Sequence, residues 1–318
     1  MSSRVKLGHG SGGRLTQELI REAFSALIGG ELARADDSGF LEVEGLRLAL
    51  TTDTFTVRPL FFPGGDIGKL AITGTVNDLA VSGAKPLALT AGFILEEGLE
   101  FDVLRRISRS LAEAARDAGV PVIAADTKVV EGSGGLSVNT SGLGLVLYDL
   151  RPERIEPGDK ILVTGTLGDH EFAVLLAREE LGLEANFPSD CAPLWQLLEP
   201  LYEKLGPAVK FARDPTRGGL ATVLNEVIRE GLEFRLWEEE IPLRPEVQAA
   251  AELLGLDPLY AASEGRAVLF VASDSAEEAL EVLRAHPLGQ RAQVIGEVRD
   301  CLLYTSDAAD DGESVDLG

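Results

Sequence analysis

A chain of 318 residues, 45% apolar and 25% charged, has material for two domains, or one large one, around a sizeable core. Its formal net charge of −23 argues against nucleic acid as a partner, because phosphate recognition needs clustered lysine and arginine. Two cysteines, Cys191 and Cys301, are too few and too far apart for a disulfide scaffold. No apolar run approaches a membrane span and the N-terminus has no signal core, so the expected location is cytoplasmic.

Residues 4–13, RVKLGHGSGG, hold Gly8, Gly10 and Gly13 in GxGxxG spacing. A dinucleotide fingerprint needs a full strand before it and an acid-tipped strand after it, and neither is present. A glycine loop folding over phosphates and a plain N-terminal turn both remain open. An amphipathic helix is expected over 15–28, with Leu15, Leu19, Ala23, Phe24 and Leu27 on one face and Gly29-Gly30 as its stop. The acidic turn Asp36-Asp37-Ser38-Gly39 then leads into strands around 41–43 and 46–52.

The stretch Thr51–Ala84 organises the rest. A β-prone run stops at Asp53, a Phe61-Phe62-Pro63-Gly64-Gly65 turn follows, and an apolar segment over 68–82 is interrupted only by Asn77 and Asp78. Such a pair inside a buried helix is expensive unless something pairs with it. Asp53 and Asp78 fit ligands for a hard cation and its phosphates, and equally fit two satisfied core acids.

Downstream, 87–95 reads as a strand, 102–118 as a helix ending at Gly119, and 120–125 as a buried strand running into Asp126-Thr127-Lys128. A longer strand covers 137–147. The polar, proline-bearing RPERIEPGDK (151–160) marks a domain boundary, with domains at 1–150 and 151–300. The second half opens with a strand at 161–164 and a Gly165-x-x-Gly168-Asp169-His170 turn into a helix reaching Glu180; His170 is read as a capping or packing residue. Helices follow at 191–205, 220–230, 242–254 and 276–286, with strands at 267–271 and 293–298. Cys191 reads as a small core residue. Arg213-Asp214-Pro215-Thr216-Arg217-Gly218-Gly219 at a helix start fits an anion site or a structural Arg–Asp turn. No stretch fits a Walker A loop.

Taken in order, HGSGG (9–13), DD (36–37), TTD (51–53), FFPGGDIGKLA (61–71), GTVNDLAVSGA (74–84), GFILEEGL (92–99), DTKVV (126–130), GDH (168–170), RDPTRGG (213–219) and SEG (263–265) resemble the HypE family of hydrogenase maturation factors. These are carbamoyl dehydratases of the aminoimidazole-ribonucleotide-synthetase-like, or PurM-like, superfamily. The resemblance implies an α+β fold of two PurM-like domains, the N-terminal one contributing to a dimeric β-barrel and the C-terminal one an α/β sandwich. It implies ATP and Mg²⁺ in the cleft between them. The nucleotide would meet His9, Gly10, Ser11, Gly12, Gly13, Asp53, Asn77, Asp78 and Asp126, and the metal Asp36, Asp37, Asp53, Asp78 and Asp126. Lys128 would stabilise the phosphoryl group and Glu264 act as base, supported by Arg217. The implied partners are a second copy of the chain, the carbamoyltransferase HypF and the HypC–HypD scaffold complex.

Family members end in Pro-Arg-Ile-Cys, whose cysteine carries the carbamoyl group. Here CLLYTSDAADDGESVDLG stands instead, with five acids and no lysine or arginine from Leu302 onward. Residues 301–318 are expected to be a disordered, non-native tail resembling translated adaptor sequence. Cys301, on so short a tether, is expected not to replace the acceptor, leaving ATP binding without full turnover. Glu171 also departs from the usual glycine after GDH. The rival expectations are another ATP-dependent PurM-like enzyme, of the selenophosphate synthetase or thiamine-phosphate kinase type, and a non-catalytic maturation scaffold.

Overall fold

In the computed structural model, which describes residues 4–6, 14–24, 37–178 and 187–301, two five-stranded sheets organise the chain. The first contains Gly39–Val43 (β1), Leu46–Phe55 (β2), Ala84–Glu96 (β5), Val122–Val130 (β6) and Leu136–Val146 (β7), in the order β1-β2-β7-β5-β6. All its pairs are antiparallel except β5 with β6. A two-residue hairpin, Phe61–Phe62 (β3) with Gly65–Asp66 (β4), introduces helix Ile67–Val81 (α2). The helix Arg14–Leu19 (α1) continues as a π-turn through Phe24, overlapping the expected 15–28 span, whose residues 25–28 lie outside the described residues.

Period-two alternation sets the faces of this sheet. In β2, Ala49, Thr51 and Phe55 point to the covered side, and in β7 Leu136, Val138 and Thr140 do the same. Helices α2 and Phe101–Ala118 (α3) cover that side. Burial of Ile107, Leu111, Ala114, Ala115 and Ala118 gives α3 an amphipathic stripe, and Gly119 closes it at φ 70°. No such stripe exists on α2: every residue but Lys69 and Asp78 is buried. Asp66 caps it, accepting from Gly68 N at 2.8 Å and Lys69 N at 3.1 Å.

The reason for that burial is the second domain. Its sheet, all antiparallel, runs Leu232–Leu236 (β10), Gln293–Asp300 (β12), Lys160–Val163 (β8), Val268–Val271 (β11), Val209–Arg213 (β9). Helices Trp195–Leu205 (α5) and Ala276–Ala285 (α8) pack on one face, in a core that also takes Ala80 and Val81 from α2. Helix Gly219–Val227 (α6) packs on the other face. Helices Asp169–Leu176 (α4) and Pro245–Leu254 (α7) form a smaller cluster beside them. The Tyr202 hydroxyl donates to Ala80 O at 3.1 Å, and Thr73 Oγ1 lies 3.0 Å from Cys191 Sγ. Helix α2 is therefore core to both domains.

Several expected boundaries shift. Strand β6 runs on through Asp126 and Lys128, because its parallel pairing with β5 continues to Val130, so these residues lie within a strand instead of beyond its tip. Cys191 precedes α5, which starts at Trp195. Strands β9 and β10 occupy stretches the sequence reading left between helices. Among the described residues, no helix is long and apolar enough to cross a membrane.

Candidate active site

Acidic side chains from separate parts of the chain meet where α2, β2 and the second domain come together. One carboxylate oxygen from each of Asp37, Asp78 and Asp214 lies within 4.8 Å of the other two. Asp37 precedes β1, Asp78 projects from α2, and Asp214 follows the last residue of β9. The Thr51 hydroxyl donates to Asp78 Oδ2 at 2.6 Å, while Ser82 Oγ donates to the Asp78 carbonyl at 2.7 Å. Arg213 balances the group from one side, at 3.3 Å from Asp37 and 3.1 Å from Glu226. Asp53 shares the covered face of β2 with Thr51 and meets the exposed Arg217 at 3.8 Å.

Electrostatics follow from this crowding. Burial, then repulsion from Asp214, Asp37 and Asp53, holds Asp78 well above the usual carboxylate range despite the Thr51 hydrogen bond. Burial and Asp37 push Asp214 up in the same way, with Arg213 opposing. Asp53 is raised by burial, against Arg217 and the Thr54 N–H that donates to it at 2.8 Å. Glu264 is raised by burial and by Asp214, Asp53 and Asp190, against Arg217. Asp214 Oδ2 is buried with no hydrogen-bond partner among the described residues. Mutually repelling hard oxygen donors, one of them orphaned, suit a hard divalent cation. Arg213 and Arg217 offset only part of the cluster's charge, and a bound cation would offset more.

The other sequence-marked residues are placed as follows. Asn77, fully buried, turns toward the second domain: its Nδ2 donates to Ala192 O at 3.1 Å and Glu264 O at 3.0 Å, and its Oδ1 accepts Leu194 N–H at 2.8 Å. Glu264 sits above α2, where a Cβ added at Gly74 would lie 3.8 Å from its Oε2. Asp126 and Lys128 are not brought to the acids. Asp126 is in register with Gly92, Asn139 and Thr54, so it shares the face of the sheet away from Asp53 and α2. It also stands three strand spacings, roughly 14 Å, from β2. His9, Gly10, Ser11, Gly12, Gly13 and Asp36 lie outside the described residues. His170 is a packing residue: its Nδ1 lies 2.9 Å from Ser189 Oγ, its ring meets Phe62 edge-on, and burial lowers it to about 4. Cys191 is a buried thiol pushed up to about 12, which is unreactive.

Asp214, Thr51 and Arg213 are the members of this cluster that sequence reading did not single out as ligands. Val209–Arg213 alternates weakly, and once it is read as a strand Asp214 becomes the acid just past a strand end. The glycines after it are fixed by backbone approach: a Cβ at Gly219, whose φ is 58°, would meet the carbonyls of Leu259 and Ala261 at 2.6 Å.

Residues 35–146 match the AIR synthase related protein N-terminal domain, and residues 156–302 its C-terminal domain. The chain is 48% identical over 299 residues to the carbamoyl dehydratase HypE of Bradyrhizobium diazoefficiens, covering 92% of this chain and 86% of that one. It is 45% identical over 307 residues to the Escherichia coli K12 carbamoyl dehydratase HypE, covering 93% and 91%. The crystal structure of a HypE–HypF complex superposes with a TM-score of 0.83 at 47% identity, over 89% of this chain and 93% of that one. HypE in complex with ATP gives 0.77 at 42% identity, over 93% and 90%. A thiamine monophosphate kinase from Aquifex aeolicus, at 18% identity and a TM-score of 0.65 over 91% and 96%, shares the fold. The chain belongs to the HypE family of carbamoyl dehydratases, hydrogenase maturation proteins built from paired AIR-synthase-related domains.

Proposed function

We propose that the chain carries out the ATP-dependent dehydration of a cysteine-bound carboxamide to a thiocyanate, which supplies the cyanide ligands of the [NiFe]-hydrogenase iron. The observation that carries this reading is the convergence of Asp37, Asp53, Asp78 and Asp214 with Glu264 in one cleft. Asp37, Asp78 and Asp214 would hold Mg²⁺, with Asp53 beside them. Bound there, it supplies charge neutralisation for the phosphate oxygens of ATP. A HypE relative has been solved with ATP, and the same cleft is where this chain would take it.

In the reaction the carbamoyl oxygen attacks the γ-phosphorus and ADP leaves. Loss of the amide protons and of phosphate then forms the C≡N bond. Glu264 receives a proton in this scheme. Burial first, then repulsion from Asp214, Asp53 and Asp190, raises it against Arg217, which suits a proton acceptor. Arg217, ion-paired with Asp53 and close enough to lower Glu264, would hold the transferred phosphoryl group.

Homodimerisation is part of the proposal. Edge strands β1 and β6 are open, and Leu41, Val43, Leu46, Leu50, Ile94 and Val130 are exposed on the sheet face away from α2, an apolar surface suited to a second sheet. Asp126 and Lys128 lie on that outer surface, so they enter the site only through the dimer. A HypF-type carbamoyltransferase would load the acceptor, as the complex formed by the relative suggests, and a HypC–HypD scaffold would receive the product. Residues 302–318 lie outside the described residues, and Cys301 N–H donates to Gly231 O at 3.0 Å at the end of β12.

The test is thermal melting with ATP, with and without Mg²⁺, on the chain as it stands and on one whose residues 301–318 are exchanged for a tail ending Pro-Arg-Ile-Cys. Saturation about 100-fold above Kd adds roughly 2.7 kcal/mol. Shifts in both forms are expected, with thiocyanate only in the tailed one after a HypF-type carbamoyltransferase has loaded its cysteine. No shift in either rejects the enzyme reading in favour of a scaffold.

A further inference from the structure

The backbone of Ala262–Glu264 is gripped from several sides. Glu171, the departure from the family pattern, makes a reciprocal pair with Ala262: its carboxylate accepts Ala262 N–H at 2.7 Å, and its own N–H donates to Ala262 O at 3.1 Å. Ser263 donates its N–H to Pro215 O at 2.9 Å and accepts Gly168 N–H on its hydroxyl at 2.9 Å. Glu264 N–H donates to Asp190 Oδ1 at 3.1 Å. The grip on the Glu264 carbonyl comes from Asn77 Nδ2, at 3.0 Å, and Asn77 belongs to the first domain.

That contact has a specific geometry. Gly74 and Asp78 are four residues apart and so stack on one face of α2. The Glu264 carboxylate lies over Gly74 and the acid cluster includes Asp78, so base and cluster share one helix face. Asn77 ties the Glu264 peptide to that same helix. The bond set also requires an amide. Two carbonyls, of Ala192 and Glu264, need donors and Leu194 N–H needs an acceptor, which an ionised carboxylate cannot supply together.

We propose that Asn77 is a positioning residue that fixes Glu264 relative to Asp78, so that the base and the acid cluster keep one geometry across the domain boundary. Asp190 completes the hold on the same residue, through the peptide before it. This rests on the reading of Glu264 as the base. It assigns Asn77 to Glu264 and not to the nucleotide.

The test measures single-turnover thiocyanate formation in the tailed chain, its terminal cysteine first carbamoylated by a HypF-type carbamoyltransferase, at saturating Mg²⁺ and ATP, with ATP affinity by calorimetry. Asn77→Asp keeps the shape and the Leu194 contact but removes both donors. Turnover is expected to fall by about 10²-fold, as for a base misplaced by an ångström, with Kd for ATP within about twofold. The pH profile of turnover is expected to move with it, which a purely structural loss would not produce. Asp190→Asn, which can still accept the Glu264 N–H, should retain most activity, whereas Asp190→Ala should not. Should Asn77→Asp fail to fold, Asn77→Ser, which buries no charge, serves instead. Wild-type turnover in a folded Asn77 variant overturns the proposal, and so does a loss confined to ATP affinity. If the wild-type tailed chain makes no thiocyanate, the dehydratase reading fails separately. The link is then decided by hydrogen exchange in the unmodified chain. There Asn77→Asp must speed exchange at Ala262–Gly265 and leave α3 unchanged; unaltered exchange at that segment refutes the link.

Discussion

Helix α2 is buried on nearly every side, whereas strand β6 is exposed along almost its whole length. Both carry residues of the kinds that bind cations and phosphates. On α2 the buried polar side chains have partners in distant parts of the same chain: Thr75 with Thr140 at 2.5 Å, Asp78 with Thr51, Asn77 with three backbone groups of the second domain. On β6, Asp126 and Lys128 face away from the acid cluster. A polar group inside a core must be satisfied by its own fold, so its geometry is already set. Chemistry on an open strand is completed by whatever covers the strand.

The sharpest way to test this difference is to truncate each element in turn. Leu79→Ala on α2 should cost about 2–5 kcal/mol in denaturant unfolding, because the side chain is fully buried against β2, β5 and β7. Val129→Ala on β6 should change the unfolding of the dilute chain by less than about 0.5 kcal/mol. A comparable loss at both sites would erase the distinction.

The rule that buried polar groups are held in one state extends to His170. Its ordinary value of 6.5 falls to about 4 in the folded chain, so the folded form stays neutral where the unfolded form is charged. Stability contributed by this group is present above about pH 6.5 and is lost as pH falls through about 4, some 3 kcal/mol in all. Asp190, raised to about 6 by burial, acts in the opposite sense between its ordinary value and 6, which masks part of the slope in the wild type. The difference between wild-type and His170→Gln unfolding curves isolates the histidine, and a difference independent of pH would contradict its buried neutral state.

Asp78→Asn should abolish the Mg²⁺-ATP melting shift, roughly 2.7 kcal/mol at 100-fold saturation, and at the same time stabilise the ligand-free chain by removing one repelling charge. Opposite signs with and without ligand distinguish a binding cluster from a structural one. The smallest and most conditional effect belongs to Lys128→Ala. ATP affinity should change only at concentrations where sedimentation shows a dimer. A change in the monomer would place Lys128 in the cleft of its own chain.

What was legible in the sequence divides along the same line. Asn77 and Asp78 stand out because an apolar helix has no ordinary use for them, and the burial of α2 on all sides follows from its composition. The partners of Asn77 were not legible, since Ala192, Leu194 and Glu264 are more than a hundred residues away and are joined to it only by tertiary packing. Strand β10, LEFRL, is short and half-buried, its apolar residues alternating with Glu233 and Arg235, and it passed as a linker between two helices. Missing β9 similarly hid Asp214. The true length of β6 is set by its pairing with β5, which local propensity does not report.

Because α2 is core to two domains, its order of synthesis matters. When the first domain leaves the ribosome, Ala80 and Val81 and the carbonyl that Tyr202 will meet have no cover, and Asn77 has no carbonyl to hold. Cover arrives only with Trp195–Leu205 and the segment before it. The nascent chain therefore carries an open apolar helix face through the synthesis of most of the intervening residues, a natural point of attachment for chaperones and a point of misassembly when they are scarce.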